Sequence, residues 1–344
     1  MMRALQIDEC GRPPAVAARP DPAPGPGLEL VRVVAAPITP LDLLCATGTS
    51  YFGMPALPYV PGVQGVGSAG GRLVWFPTAA GMAPGDGSMA ELALARAEDL
   101  VELPEGADPF AVAALGLSAV AAYQALTWRG ELAAGEQVLV LGGGGAVGQA
   151  AIQLARLAGA RRVVAAARSA AGLQRARQAG ADAVVPLPPA VPPAVPTAGS
   201  ASDGPDPAAG DLASGDVDGL ARRFADACDG PVDLVLDPLY GVPAAAAART
   251  LRQGGRLVNL GSAAAETCPL DSATLRSRSL RVLGYTNNEL SREQRAAAVT
   301  HVAGESAAGR LAVTHEVVPL EQAAQAWHGQ ASGASSVRIV LDLG

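Results

Sequence analysis

An apolar, β-branched run that ends in four consecutive glycines constrains this chain more than any other stretch. It reads Glu136-Gln-Val-Leu-Val-Leu-Gly-Gly-Gly-Gly-Ala-Val-Gly148. A strand expected over 137–141 enters the glycines, and an alanine-rich helix expected over 149–159 leaves them. Gly143, Gly145 and Gly148 satisfy G-x-G-x-x-G. Glycine serves such a turn in three ways: a tight strand-to-helix reversal, close backbone approach to a pyrophosphate, and close helix–strand packing. The helix start then offers unpaired N–H groups and a positive dipole end to phosphates. Alone the motif is weak. Here a strand precedes it, and a helix and a second strand (162–167) follow. That context predicts a dinucleotide site lined by Gly143, Gly145, Ala146, Val147 and Gly148.

The end of the second strand selects the cofactor. NAD-binding units place Asp or Glu about 20 residues after the last glycine, on the ribose 2′-hydroxyl. Nineteen residues after Gly148 stands Ala167, followed by Arg168 and Ser169. A carboxylate is missing and a guanidinium is present, a pair of changes that suits a 2′-phosphate. Arg168 could instead be a solvated surface arginine; the coincidence of acid lost and base gained favours NADPH.

Length and composition exclude several other classes. At 344 residues the chain has room for two domains, and its net charge of −7 argues against nucleic acid as a partner. The sequence shows no apolar run of 18 residues, and residues 1–9 read as a first strand rather than a signal peptide, so the expected setting is cytoplasmic, away from a membrane. The cysteines, Cys10, Cys45, Cys228 and Cys268, form no C-x-x-C pair, and His301, His315 and His328 stand at no ligand spacing from them. No metal site is expected. The chain contains no lysine, which removes lysine-based chemistry.

Residues 1–112 are rich in Pro and Gly, with strands expected over 28–36, 72–76 and 89–95. A long apolar helix is expected over 110–126. Strands and helices then alternate. Strands fall at 137–141, 162–167, 183–185, 232–237, 256–260 and 280–285, with helices at 149–159, 170–180, 220–228 and 242–251. This alternation implies an α/β fold built on a doubly wound parallel sheet. Helices at 292–308 and 320–330 and a strand at 337–342 complete the chain. Residues 186–219 are dominated by Pro, Ala, Gly, Ser and Asp and read as a disordered surface insertion without a regulatory role.

Several stretches together resemble the zinc-independent medium-chain dehydrogenases/reductases of the quinone oxidoreductase type. Pro37-Ile-Thr-Pro-Leu-Asp-Leu-Leu44 is similar to the family's G-x-N-P-x-D stretch. Leu57-Pro-Tyr-Val-Pro-Gly62 resembles its P-x-x-P-G element, and Gly87-Ser-Met-Ala-Glu91 its G-x-Y-A-E element. Asp233-Leu-Val-Leu-Asp-Pro238 and Gly254-Gly-Arg-Leu-Val-Asn-Leu-Gly261 resemble the later strands of its cofactor domain. The resemblance implies a GroES-like, β-rich substrate domain over 1–114 and 287–344, and a Rossmann domain over 115–286. It also implies a homodimer joined through the edge strand at 279–285. Where zinc-dependent relatives carry Cys and G-H-E, this chain has 37–42 and Pro61-Gly-Val-Gln-Gly65, so the resemblance implies no catalytic zinc.

The resemblance further implies hydride transfer from NADPH to a small quinone or enone. Two other readings stay open: an enoyl-thioester or tailoring ene-reductase of secondary metabolism, and a non-catalytic NADPH-binding sensor or scaffold. Candidate polar groups in the substrate domain are Thr39, Asp42, Tyr51 and Gln64. Tyr51 lies in a stretch similar to the G-x-Y-x-x-x-P of enoyl-thioester reductases; it is either a proton-handling group or a loop aromatic. Asp42 orients a loop or caps a helix start more readily than it acts as a base, and Gln64 reads as structural filler. In the resembling family the backbone at Leu260, Gly261 and Ser262 runs along the nicotinamide. Arg338 stands where the family often has a basic residue near the pyrophosphate, or it is a surface arginine.

Overall fold

The structure, a computed structural model, describes residues 1–50, 52–188 and 216–344. The chain divides into two compact units: residues Met1–Val120 with Asn287–Gly344, and Ala121–Thr286.

The first unit opens with β1 (Met2–Gln6), paired antiparallel with β2 (Ala15–Arg19). β3 (Leu28–Pro37) leads into helix α1 (Pro40–Thr47), which neither apolar periodicity nor length advertises. β4 (Gln64–Ala69) and β5 (Arg72–Pro77) form a hairpin whose turn, Gly70-Gly71, has φ of +55° and +78° at the two glycines. β6 (Leu92–Arg96) pairs with the first half of β3, and β4 with its second half. β7 (Val101–Glu102) pairs with β5.

α2 (Pro109–Gln124) follows, bent at Gly116 (φ +32°), and runs on into a wider turn at Ala125–Arg129. The sequence reading found no membrane-length apolar run, and this is corrected. Pro109–Arg129 is long and apolar enough to cross a membrane by length and composition, and 67% of its most apolar window is buried inside the protein. Its small side chains, largely Ala and Gly, let it pack as a core helix.

The second unit is a doubly wound sheet. Its elements in order are β8 (Gln137–Leu141), α3 (Ala146–Leu157), β9 (Arg162–Ala167), α4 (Ala170–Gln178), β10 (Ala183–Pro186), α5 (Val217–Ala227), β11 (Val232–Asp237), α6 (Gly241–Ala248), β12 (Leu251–Asn259), α7 (Ser272–Ser277) and β13 (Arg281–Gly284). Among the described residues, six strands lie parallel in the order β10-β9-β8-β11-β12-β13. All five residues of β8 are buried, as a strand covered on both faces requires. Leu139, Leu141, Val164 and Val235 pack with Phe224 of α5 and with the buried alanines 244–248 of α6 in one cluster.

Three expected boundaries are corrected. α3 begins at Ala146, three residues earlier than expected, because the first helical turn has no i−4 acceptors to lose and tolerates glycine. α6 stops at Ala248 and β12 begins at Leu251, where a helix had been expected. The expected insertion over 186–219 is narrower at both ends: Pro186 pairs with Ala167 in the sheet, and α5 starts at Val217. Residues 189–215 of that expectation lie outside the described residues.

β13 is the edge strand, with Val282 41% exposed. Leu280 is partly buried and packs against the cluster of the second unit. Back in the first unit, α8 (Arg292–Ala307), β14 (His315–Pro319), α9 (Ala323–Ala331) and β15 (Arg338–Asp342) close the chain. β15 inserts between β14 and β3, pairing Val340 with Pro37. Among the described residues this makes a seven-stranded sheet over a core that includes Leu5, Val33, Phe76 and Leu341.

Candidate active site

In the second unit, Gly142 (φ +67°) turns the chain out of β8, and the Gly143 N–H returns to the Ala166 carbonyl at 2.8 Å. Three glycines are required by the chain itself. A Cβ on Gly143 would sit 2.8 Å from the Ala165 methyl. One on Gly144 would overlap Gly172 of α4, and one on Gly148 would overlap the Gly142 carbonyl. Gly145 differs. Its φ is an ordinary −83°, it is exposed, and a Cβ there would meet nothing closer than 3.5 Å. No packing in the described chain explains why it lacks a side chain.

Gly145 is the N-cap of α3 and supplies no side-chain cap. Gln149 N is the first to bond back, to Gly145 O at 2.9 Å, so the N–H groups of Ala146, Val147 and Gly148 precede the helix's own acceptors. An exposed glycine at an uncapped helix start is the arrangement a pyrophosphate fits. The sequence reading missed Gly144, whose absent Cβ lets the glycine turn lie against Gly172 of α4. It also missed Arg175, whose Nε donates to the Gly144 carbonyl at 2.9 Å beside Gln149 Nε2 at 3.1 Å.

Arg168 and Ser169 are exposed at the end of β9. Ser169 caps α4, accepting from Gly172 N at 3.0 Å, which leaves its hydroxyl proton for an outside acceptor. At the end of β12, Asn259 Nδ2 donates to the Gly261 carbonyl at 2.8 Å, and Leu260 N donates to Asp237 O at 2.9 Å. Ser262 Oγ donates to the exposed Glu266 carboxylate at 2.7 Å.

In the first unit, the Thr39 and Asp42 side chains are engaged with each other at the start of α1. Together they form a capping box. The Asp42 carboxylate is buried and accepts four hydrogen bonds: Thr39 N (2.9 Å), Thr39 Oγ1 (2.6 Å), Gly62 N (3.0 Å) and Val63 N (2.9 Å). Burial raises its pKa above the ordinary aspartate value, and the hydrogen bonds oppose that rise. Four acceptances fill both oxygens, so this carboxylate ties α1 to the Pro61–Val63 turn.

Arg338 is buried in β15, which corrects the surface-arginine alternative. It donates from Nη1 to Ile38 O (2.6 Å) and from Nη2 to Ser118 Oγ (2.8 Å). Burial pushes its pKa down to about 10, and the Asp42 charge opposes the shift. Gln64 Oε1 accepts from Trp75 Nε1 (3.0 Å) and Leu117 N (2.8 Å), packed where a Cβ on Gly116 would overlap it. Tyr51 lies outside the described residues. A cavity of about 600 Å³ in this unit is lined in part by Leu41, Val63, Thr78, Met82, Leu117 and Asn287.

Val63 is apolar, and the oxygens of Asp42 and Gln64 are already engaged. Among the described residues, no three or more His, Cys, Asp or Glu side chains gather in metal-binding fashion.

Two family models, each described as a zinc-binding dehydrogenase, match residues 146–191 and 213–341. A human quinone oxidoreductase is 37% identical over 173 residues, an alignment covering 46% of this chain and 51% of that protein, so the chain spans about half the length of this relative. A quinone oxidoreductase from Thermus thermophilus, solved alone and with NADPH, superposes with a TM-score of 0.74 at 27% identity, covering 99% of this chain and 100% of that one. These matches support a medium-chain dehydrogenase/reductase of the quinone oxidoreductase-like type. A much longer protein also matches. A Mycobacterium tuberculosis phenolphthiocerol/phthiocerol polyketide synthase subunit is 28% identical across 98% of this chain and 15% of its own length.

Proposed function

We propose that this protein is an NADPH-dependent, zinc-independent oxidoreductase that delivers hydride to a quinone or conjugated carbonyl compound. Gly145 is the observation that carries the reading: an exposed, unstrained glycine at an uncapped helix start, with no neighbour among the described residues to explain it. The Gly143–Gly148 turn would hold the pyrophosphate on the N–H groups of Ala146, Val147 and Gly148. Arg168 and Ser169 would take the 2′-phosphate, and the backbone at Leu260, Gly261 and Ser262 would lie along the nicotinamide. Bound NADPH supplies the hydride. Thr39 and Asp42 hold α1 in place and take no part in proton transfer. The cavity lined in part by Leu41, Val63, Thr78, Leu117 and Asn287 is the candidate acceptor site. An electron-poor acceptor needs little more from the protein than orientation and polarisation of a carbonyl.

The 115–286 domain, the homodimer formed through β13 and the cytoplasmic setting belong to the same proposal. The exposed Val282 on an unpaired edge supports the dimer. A second reading, a tailoring ene-reductase of secondary metabolism, is favoured by the match within a polyketide synthase subunit. NADPH consumption with quinones, enones and 2-enoyl thioesters separates the two. Binding without turnover on any of them would establish the sensor or scaffold instead. NADPH should bind more tightly than NADH, and Arg168→Ala should remove about 1.5–3 kcal/mol of that preference. Equal dissociation constants for the two cofactors in the wild type would refute the NADPH assignment.

A further inference from the structure

The carboxyl ends of β11 and β12 are tied by a buried carboxylate that the function above does not use. Asp237 is fully buried, and its partners are neutral. Oδ1 accepts from Leu239 N (2.9 Å) and Tyr240 N (2.8 Å), and Oδ2 accepts from Asn259 Nδ2 (3.0 Å). Placing a carboxylate in the interior with neutral donors is costly, and burial raises its pKa accordingly. The turn it holds is also strained. Tyr240 has φ +60° and ψ −166°, a region that is essentially glycine's, and Gly241 follows at φ +65°. Strain of this kind persists only where the surroundings impose it.

The imposed geometry extends across two strands. Pro238 O accepts from Ala263 N (3.2 Å), and Leu239 O accepts from Ala264 N (2.8 Å). Asn259 Nδ2 reaches both Asp237 and the Gly261 carbonyl, so residues 237–241 and 259–264 form one block. That block abuts the glycine turn: a Cβ on Gly142 would lie 3.1 Å from Pro238 Cγ.

Sheet order says what lies above the block. The order β9-β8-β11-β12 reverses direction between β8 and β11, and dinucleotides lie across the strand ends at such a reversal. Arg168 and Ser169 mark the adenosine half over β8 and β9. The nicotinamide half then falls over β11 and β12. We infer that Asp237, acting through Asn259 and the strained Tyr240 turn, is the positioning residue for the nicotinamide half of the cofactor. This inference rests on the NADPH reading.

The full-length protein tests it with Asp237→Asn and Asn259→Ala. The first keeps size and an acceptor for the two turn N–H groups but sets an amide donor against Asn259. The second leaves the Asp237 Oδ2 without its side-chain partner. Calorimetry gives the dissociation constants for NADPH and for 2′,5′-ADP, which carries only the adenosine half. Emission of bound NADPH reports the nicotinamide surroundings. Each variant is expected to weaken NADPH by about tenfold or more and 2′,5′-ADP by less than about twofold. NADPH emission should shift toward that of the free cofactor. Parallel weakening of both ligands would show a purely structural role and overturn the inference, as would no change in either. If Asp237→Asn does not fold, Asn259→Ala decides by the same criteria. Wild-type protein that fails to bind 2′,5′-ADP would overturn the cofactor reading itself, before any variant is compared, and this inference with it.

Discussion

Two glycines in one turn should respond to the same methyl group in opposite ways. At Gly148 an added Cβ overlaps the Gly142 carbonyl and sits 2.6 Å from Gly143 Cα. Both obstacles are backbone, so relief requires moving β8 or α3, and Gly148→Ala should cost about 3 kcal/mol, the upper end for overpacking. At about 2–4 °C per kcal/mol the melting temperature should fall by about 6–12 °C. At Gly145 the nearest atom is 3.5 Å away and φ is already −83°. Alanine there loses about 0.5–1 kcal/mol as a poorer N-cap and regains about 0.4–1 kcal/mol by restricting the unfolded chain. The melting temperature of Gly145→Ala should therefore stay within about 3 °C of wild type. Its methyl would stand where a pyrophosphate approaches the helix start. Loss of one charge-assisted N–H contact is worth about 1.5–3 kcal/mol, or about tenfold to a hundredfold in NADPH affinity. Thermal melts without ligand and an NADPH fluorescence titration measure the two effects separately. An unchanged NADPH dissociation constant in Gly145→Ala would refute the placement of the cofactor on this turn. A loss of stability matching Gly148→Ala would refute the steric reasoning.

The capping box offers a stability test. Thr39→Ala should lower stability by about 1 kcal/mol, and Asp42→Ala by about 3–6 kcal/mol, because buried N–H groups of Thr39, Gly62 and Val63 lose their acceptor; denaturant melts giving a small effect for Asp42→Ala would show water taking its place. Val282→Glu should convert a dimer to a monomer in light scattering, since a charge on an edge strand blocks pairing, and a wild type already monomeric at micromolar concentration would sink the dimer. Purified protein should carry no stoichiometric zinc by elemental analysis and should keep its activity in chelator; one zinc per chain would reverse the assignment.

The cofactor unit was legible where one chain segment carries the whole signal. β8, β9 and β11 are short apolar runs closed by glycine or polar residues, and the structure places all three at the expected residues. Helix starts were less legible: in α3 glycine belongs to the first turn, whereas the sequence reading ended the turn there. α1 was given no range, although Asp42 was read as able to cap a helix start, because the helix is too short to show a period. The site was half legible. Motif residues are local and could be found by spacing. Asp42, Gly144, Arg175 and Asp237 owe their roles to partners elsewhere in the chain: Gly62 and Val63, Gly172, the Gly144 carbonyl, and Asn259. No spacing rule links such pairs, and a burial pattern does not say which buried acid is saturated.

The insertion of β15 between β14 and β3 sets an order of events on the ribosome. Residues 121–286 are continuous, so all six sheet strands of that unit can emerge and pair before synthesis reaches the tail. The first unit cannot finish in the same way. Pro37, Ala36 and Ala35 have exited long before Val340, Leu341 and Asp342, their partners, have been made. Until then the Ala35–Pro37 end of β3 is an open template of N–H and C=O groups on one side, and Ile38 lacks the guanidinium of Arg338 on its carbonyl. Among the described residues, the most sequence-distant strand pairing thus waits for the last strand to be made. Nascent chains are exposed to edge-to-edge association for the time needed to translate some 300 residues.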